Sequence, residues 1–188
     1  ACATCYKDVW FDSLLEARHA FFMDAVGVTW VHEGLTVHHV PLRPPQGGEV
    51  RHVSYTPDFW LPDLRVHLEI KPRYPYDCEI RKCMALCEVT RDDVVLLHET
   101  SFGVPFGIVA ADADRAYGHA GCVRGMRFRW DGAAVAQALD VAWAVDDATG
   151  AALLAPREGV GDVRCAHARL LEAYEYMARE GTSAFRFE

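Results

Sequence analysis

The chain has 188 residues, 51% of them apolar, which is enough to build one buried core and excludes a disordered protein. Its net charge of −8 argues weakly against nucleic-acid binding, although cations bound at a carboxylate site would offset part of that charge. No apolar run approaches the length that spans a bilayer, so the sequence predicts no membrane segment.

The first predicted element is an amphipathic helix over residues 12–26, where apolar side chains recur every three or four positions. Ser13 and Glu16 have the spacing of a capping box at its start. Residues 28–40 are rich in β-branched and aromatic side chains and predict one or two strands. Residues 43–49 contain two prolines and two glycines and predict a loop.

A β-hairpin is predicted next, with strands at residues 53–61 and 65–71 joined by a turn at Pro62-Asp63. The second strand alternates strictly, so one face is expected to be buried and the other to carry polar groups. The residues of the buried face are Val66, Leu68 and Ile70, and those of the polar face are His67, Glu69 and Lys71.

Residues 77–90 predict a second helix, and the apolar run at residues 94–97 predicts a buried strand. The order to this point is helix, strand, strand, strand, helix, strand. Beyond residue 100, residues 132–145 and 162–180 are predicted to be helical. The first of these helices carries a tryptophan that could dock a partner protein.

Asp58, Glu69 and Lys71 have the most specific chemistry in the chain. A carboxylate at one predicted strand faces a carboxylate-x-lysine sequence on the next strand, eleven residues later. Mg²⁺ prefers oxygen ligands and keeps several waters, so two carboxylates and the backbone carbonyl of Ile70 would leave positions open for water and a phosphate oxygen. Lys71 would orient that water or stabilise the charge growing on the phosphate. These residues therefore predict a metal-dependent nuclease.

The motifs of this region also resemble a known family. Pro57-Asp58 followed by Glu69-Ile70-Lys71, behind a helix that carries Glu16, resembles the PD-(D/E)xK nuclease superfamily. The segments Ser13-Leu14-Leu15-Glu16-Ala17-Arg18 and Tyr55–Pro62 look like those of its small phage and viral members.

The resemblance covers roughly residues 11–100 and implies a restriction-endonuclease-like α/β fold. An αβββαβ core is expected at residues 1–100, with a mostly helical C-terminal extension at residues 101–188 that completes or flanks the same domain. The implied activity is cleavage of nucleic acid, DNA more than RNA, with Mg²⁺ or Mn²⁺ as the cofactor. A homodimer or a partner protein is left open.

The resemblance also implies roles for individual residues. Asp58 and Glu69 would bind the metal together with the Ile70 carbonyl, Lys71 would position the water, and Glu16 would be an accessory ligand or base. Further accessory groups are expected at Lys82, Glu79 and His67, the last because it shares a strand face with Glu69. Candidate phosphate contacts are Arg18, Arg73 and Arg81.

Location is predicted from the cysteines and the N-terminal sequence. Seven scattered cysteines favour reduced thiols, and no basic region precedes an apolar stretch at the N-terminus. An intracellular protein that is not secreted is therefore expected, in the cytoplasm or, for a eukaryotic virus, in the host nucleus. Whether Cys2 and Cys5 bind metal is undecided, because their spacing suits a metal site at one end only.

Simpler interpretations stay open for several residues. Capping alone explains Glu16, and Lys82 and Glu79 fit a solvated helix face. A histidine on a strand is more often part of the scaffold than a ligand. For the whole protein, the alternatives to an active nuclease are a catalytically idle module that binds nucleic acid or protein, and a nuclease subunit of a recombination or repair complex.

Overall fold

The computed structural model describes residues 3–98, 124–146, 148–156, 163–164 and 183–187. These residues form two helices and thirteen strands, so this part of the protein is mostly β. Neither helix in these ranges has the length and apolar character needed to cross a bilayer. In chain order the elements are β1 (Thr4–Tyr6), β2 (Val9–Phe11), α1 (Leu14–Val26), β3 (Val31–His32), β4 (Val37–Leu42), β5 (Arg51–Tyr55), β6 (Phe59–Leu61), β7 (Val66–Lys71), α2 (Asp77–Thr90), β8 (Asp93–His98), β9 (Arg124–Trp130), β10 (Val135–Asp146), β11 (Ala152–Pro156), β12 (Val163–Arg164) and β13 (Arg186–Phe187).

The described strands form three sheets. The largest has eight strands, in which β11, β10, β9, β8, β7, β6 and β3 follow one another and β12 pairs with β10. Strands β7 and β8 run parallel, and α2 forms the crossover between them. Strands β4 and β5 make a separate antiparallel ribbon, and β13, β1 and β2 make a three-stranded sheet.

The predicted fold class is wrong. The sequence predicts a restriction-endonuclease-like αβββαβ core with a mostly helical extension, whereas the described chain is mostly β, with several sheets. Five strands separate α1 from α2, and β9, β10 and β11 extend the sheet that contains β8. Strands as short as β3 and β6 carry too little periodicity to be recognised in a sequence. The division of the chain near residue 100 stays a prediction.

The predicted helix at residues 132–145 is instead a turn followed by strand β10, which pairs with β9 on one side and β11 on the other. Val141, Trp143 and Val145 recur at every second position and are buried, as one face of a strand requires. The alanines between them favour a helix, but pairing within the sheet decides the conformation. Trp143 is 2% exposed and packs near Phe22, so it is not available to dock a partner.

Aspartates form the turns at both ends of β10. Asp131 Oδ1 accepts hydrogen bonds from the backbone N–H groups of Ala133 and Ala134 at 2.9 and 2.8 Å, and Asp146 makes equivalent bonds at the other end. Turns in which an aspartate side chain binds the backbone N–H groups that follow it favour a chain reversal, whereas the alanine-rich composition of this segment favours a helix. The predicted helix at residues 162–180 lies outside the described residues, apart from the two that form β12.

The two helices before residue 100 confirm the predictions for residues 12–26 and 77–90. Ser13 is the N-cap of α1: its Oγ accepts a hydrogen bond from the backbone N–H of Glu16 at 3.3 Å. The Glu16 carboxylate accepts from the Ser13 hydroxyl at 2.5 Å, so only one half of the predicted capping box is present in its usual form. Gly27 ends α1 with a φ of 74°, a left-handed conformation that glycine adopts without strain.

The predicted hairpin is confirmed in part. Strands β6 and β7 are antiparallel, but residues 53–61 divide between β5 in the ribbon and β6 in the main sheet. Both faces of β7 are buried, whereas the alternation of apolar and polar residues along this strand predicts only one buried face. Val66, Leu68 and Ile70 pack in the core beside α1, while His67 and Glu69 on the other face are 1% and 6% exposed. Side chains of α2 pack on Val94 and Leu96 of the neighbouring strand β8, which share this second face of the sheet with His67 and Glu69, so the sheet lies between the two helices.

His19 makes folding sensitive to pH. Burial of this residue in α1 lowers its pKa from 6.5 to about 3. Between these values the unfolded chain is protonated and the folded protein is not, so the unfolded state binds more protons and stability rises with pH. We expect the free energy of unfolding to fall as the pH drops from 6.5 toward 3, with this residue contributing up to about 1.4 kcal/mol per pH unit.

Urea unfolding of the wild type and of His19→Gln between pH 7 and pH 4 measures this effect. Glutamine does not titrate, so the free energy of unfolding should depend less steeply on pH in the variant. If the free energy of unfolding depends on pH equally steeply in the two proteins, His19 is not the group that makes stability depend on pH.

Candidate functional site

The predicted site lies where the pairing of β6 with β7 stops. Phe59, the first residue of β6, is opposite Leu68, so β7 continues past the start of its neighbour. Asp58 occupies the next position, and its Oδ2 accepts a hydrogen bond from the backbone N–H of Ile70 at 2.7 Å. The N–H and C=O of one strand residue point to the same side, so the Ile70 carbonyl is expected on the same side of β7 as Asp58.

Glu69 and Lys71 form an ion pair on the face of β7 that lies on the same side of the sheet as α2. Lys71 Nζ lies 2.5 Å from Glu69 Oε1. The other oxygen of Glu69, Oε2, is buried and accepts no hydrogen bond of ordinary length in the described part of the chain, although the Tyr55 hydroxyl interacts with the Glu69 carboxylate. Burying a carboxylate oxygen without a close hydrogen-bond partner is unfavourable, so Glu69 offers an acceptor to a cation or a donor.

Electrostatics join these residues to Glu16. The pKa of Asp58 is raised well above its usual value, first by burial and then by the charge of Glu69, with Glu16 adding to the effect. Lys71 and the Ile70 N–H oppose the rise only in part. Burial lowers the pKa of Lys71, but attraction to Glu69 and Asp58 raises it above its usual value overall, so the ammonium stays charged at neutral pH. Glu69 and Asp58 both act on this ammonium and Glu16 acts on Asp58, so negative charge exceeds positive charge in this group of residues, which attracts a cation.

His32 adjoins this group, a contact that the sequence does not reveal. His32 Nε2 lies 3.7 Å from Glu16 Oε2, and the side chains are 12% and 13% exposed. The pairing of β3 with β6 places His32 opposite Phe59. A two-residue strand gives almost no periodic signal in the sequence. The only hint is that His32 lies two residues after Trp30, because side chains two positions apart in a strand point to the same face.

Tyr55 is a second residue whose place the sequence does not reveal. Its hydroxyl lies 3.6 Å from the Cys83 sulfur of α2. Its pKa is raised well above 10, first by burial and then by the charges of Cys83 and Glu69, so it remains a hydrogen-bond donor. The ribbon formed by β4 and β5 determines where Tyr55 points, and a motif cannot predict that pairing.

Glu79 and Arg73 bind each other beside the site. Arg73 donates two hydrogen bonds to the Glu79 carboxylate, at 2.8 and 3.0 Å. Glu79 also accepts from the backbone N–H of Tyr76 at 2.7 Å, which caps α2. The pKa of Glu79 is lowered by the Arg73 hydrogen bonds first and by the Tyr76 N–H and Lys71 charge next, although burial opposes the shift. Glu79 therefore has a structural role at the helix start.

The remaining predicted residues are not brought to Asp58 by any contact in the described part of the chain. Lys82 and Arg18 are partly buried and form no ion pair there. Arg81 lines a separate cavity of about 440 Å³ between α2, the ribbon and the β9–β10 turn. His67 is near the opposite end of β7, where its ring packs at a tilt against Trp60 with centroids 4.5 Å apart. Burial lowers its pKa, and the charge of Asp92 opposes the shift.

The donor set suits a hard divalent cation, although its side chains are not in a preformed cluster. Within the described ranges, no group of three or more His, Cys, Asp or Glu residues is arranged to hold a metal ion. The carboxylates whose charges act on Asp58 belong to Glu69 and Glu16. A cation would satisfy the buried Glu69 oxygen and reduce the repulsion that raises the pKa of Asp58. Mg²⁺ retains several waters and needs few protein oxygens, so two or three carboxylates are a chemically adequate donor set for it.

The chain matches no protein-family profile, no curated protein and no solved structure. The resemblance of the Asp58 and Glu69-x-Lys71 motifs to a nuclease superfamily therefore stays a prediction. A proposal about function has to rest on the chemistry of the site.

Proposed function

We propose that the protein is a metal-dependent nuclease that hydrolyses phosphodiester bonds of nucleic acid, DNA more than RNA. The observation that supports this most directly is the meeting of Asp58, Glu69 and Lys71 at the end of β7. Asp58 is held there by the Ile70 N–H at 2.7 Å, and Lys71 is held by Glu69 at 2.5 Å. Two carboxylates and an ammonium in this arrangement can bind a cation and act on a phosphate.

Each residue has a distinct part in this proposal. Asp58, Glu69 and the Ile70 carbonyl would hold Mg²⁺ or Mn²⁺, which supplies polarisation of the phosphate and a water of lowered pKa. Lys71 remains protonated and orients the attacking water or balances the charge that develops on the phosphate. The Tyr55 hydroxyl, kept protonated by its surroundings, is a donor on the same side of the site.

Substrate contacts are proposed on the segment that follows β7. Arg73 lies two residues after Lys71, and 40% of its side chain is exposed although it is paired with Glu79. Its guanidinium lies 3.6 Å from the centre of the Tyr76 ring, which holds the group in one orientation. A phosphate oxygen next to the scissile bond could accept from its exposed N–H groups.

An intracellular location is part of the same proposal. Cys5, Cys78, Cys83 and Cys87 are free thiols, which agrees with a reducing compartment. The cytoplasm and, for a eukaryotic virus, the host nucleus both satisfy this condition.

Cleavage assays test the proposal. The purified protein is incubated with circular single-stranded, circular duplex and branched DNA, and with RNA, in Mg²⁺, Mn²⁺ or EDTA. We expect cutting with metal, no cutting in EDTA and no cutting by Asp58→Ala. Asp63→Ala is the matched control, since Asp63 is exposed in the turn of the same hairpin and should leave cleavage unchanged.

Two results would contradict the proposal. One is cleavage by Asp58→Ala at the wild-type rate, and the other is a wild type that cuts no substrate with any metal. In the second case, nucleic-acid binding that is indifferent to metal would identify an idle binding module. Cleavage that appears only when a partner protein is added would instead identify a subunit of a larger complex.

A further inference from the structure

Tyr74 and Tyr76 lie on the surface of the segment that follows β7. Their side chains are 65% and 61% exposed, the two highest values among the large apolar and aromatic residues in the part of the chain that the structure describes. Burial of an aromatic ring is strongly favourable, so a fold normally covers most of such a side chain. Two rings left in solvent on one short segment therefore offer a binding surface.

The parallel pairing of β7 with β8 places Tyr74 beside the proposed site. In that pairing Lys71 is opposite His98, and these two residues end their strands. The Tyr74 ring packs edge-on against the His98 ring, with centroids 5.1 Å apart. Neighbouring strands are about 4.8 Å apart, so the residue that Tyr74 contacts is one strand spacing from Lys71.

Tyr76 is fixed at the other end of the same segment. It precedes α2, and its backbone N–H donates to the Glu79 carboxylate at 2.7 Å. The Arg73 guanidinium lies 3.6 Å from the centre of the Tyr76 ring, and Arg73 also donates to the Tyr74 carbonyl at 3.2 Å. Two prolines restrict the backbone further. The rings are thus presented by an ordered segment, which lowers the entropic cost of binding a ligand.

The charge of the chain makes stacking a more effective source of affinity than phosphate contacts. With a net charge of −8, the protein as a whole repels a phosphate backbone, so binding through cations alone should be weak. Stacking on an aromatic ring needs no net positive charge and accepts any base, because every base has a π face. In a duplex the neighbouring base pairs cover these faces, so only unpaired bases can stack on the two tyrosines.

We propose that Tyr74 and Tyr76 form a stacking platform for unpaired bases, so that the site takes single-stranded nucleic acid. This inference rests on the proposed function and adds the class of substrate. Lys71 and the carboxylates of the site would act on the phosphodiester next to the stacked bases.

Binding of labelled oligodeoxynucleotides to the full chain in EDTA, followed by fluorescence anisotropy, tests the proposal without cleavage. The probes are a single strand, the duplex of the same sequence, and a single strand in which abasic sites replace the bases. We expect the wild type to bind the first probe roughly tenfold more tightly than either of the others. The double variant Tyr74→Leu/Tyr76→Leu should bind the single strand about tenfold more weakly and the abasic strand unchanged. The double variant Tyr74→Phe/Tyr76→Phe keeps both rings and should bind like the wild type.

Phe187→Leu serves as the control, because Phe187 is 53% exposed on β13 and its replacement should leave binding unchanged. Cleavage of the single strand with Mg²⁺ is the separate measure of the proposed function. In that assay the leucine double variant should show a raised KM and a kcat close to that of the wild type.

The two measurements distinguish failure of this inference from failure of the proposed function. Cleavage that depends on Asp58, together with a leucine double variant that binds the single strand as tightly as the wild type, would overturn the inference and leave the function standing. Equal binding of the duplex or of the abasic strand by the wild type would also overturn it. Binding that depends on the tyrosines without any cleavage would support the platform and contradict the nuclease. A wild type that neither binds nor cuts the single strand would overturn both.

Discussion

Asp58→Asn is expected to abolish cleavage and, in the absence of divalent cations, to stabilise the folded protein. The asparagine oxygen can still accept the Ile70 N–H that Asp58 accepts at 2.7 Å, so the local backbone should not change. The variant loses a cation ligand, and we expect cleavage to fall by about 10³-fold or more. It also loses a charge that burial and the neighbouring Glu69 and Glu16 make unfavourable.

The stabilisation should depend on pH in a defined direction. The pKa of Asp58 in the folded protein is raised above the usual 3.8, so the folded state binds more protons between 3.8 and the raised value. The contribution of Asp58 to the free energy of unfolding is fully present below pH 3.8 and is lost as the pH rises through the pKa of Asp58 in the folded protein. In EDTA, Asp58→Asn should therefore gain stability over the wild type toward neutral pH, and the difference should disappear below pH 3.8.

Urea unfolding in EDTA across this pH range, together with the cleavage assay, measures both effects. Asp63→Asn serves as the control, because it removes the same charge from an exposed position of the same hairpin. An Asp58→Asn protein that cuts normally would contradict the assignment of Asp58 as a ligand. A variant less stable than the wild type at neutral pH would contradict the electrostatic argument.

Phe59→Ala is expected to cost about 3 to 5 kcal/mol of the free energy of unfolding. Phe59 is 0% exposed, and its ring lies within 5.9 Å, centroid to centroid, of the rings of Phe11, Trp30 and His32. Truncation removes this packing and leaves a cavity directly beside Asp58. A domain of this size has about 5 to 15 kcal/mol of stability, so the change would be a large fraction of the total.

Equilibrium unfolding in urea measures the loss as a lower midpoint with an unchanged slope. Phe187→Ala is the matched control, because Phe187 is 53% exposed and its removal should change stability by less than about 0.5 kcal/mol. A loss below about 1 kcal/mol for Phe59→Ala would show that this aromatic cluster contributes little to the core.

The parts of the structure that the sequence predicts correctly depend on local signals. The two helices near residues 14–26 and 77–90 follow from periodicity and capping, and the 43–49 loop follows from its prolines and glycines. The proximity of Asp58 to Glu69 and Lys71 is also local, since one short hairpin carries all three.

The parts that the sequence does not predict depend on pairing between distant segments. Strand β10 has an alanine-rich sequence, and only its partners β9 and β11 make it extended. His32 reaches the site through the pairing of β3 with β6, and Tyr55 through that of β5 with β4. Neither pairing leaves a periodic trace in strands of two to six residues, so both residues appear in the sequence as ordinary strand positions.

The hydrogen bond between Asp58 and the Ile70 N–H has a consequence for folding. The Asp58 carboxylate accepts the backbone hydrogen bond of Ile70 in β7, at a position beyond the start of the neighbouring strand β6. A slip of one residue in the register of this hairpin would turn Glu69 to the opposite face and leave the Ile70 N–H without its acceptor. The residues proposed for catalysis therefore also favour the correct register of the hairpin over a shifted one. A mutation of Asp58 that alters the chemistry would also weaken this preference for the correct register during folding.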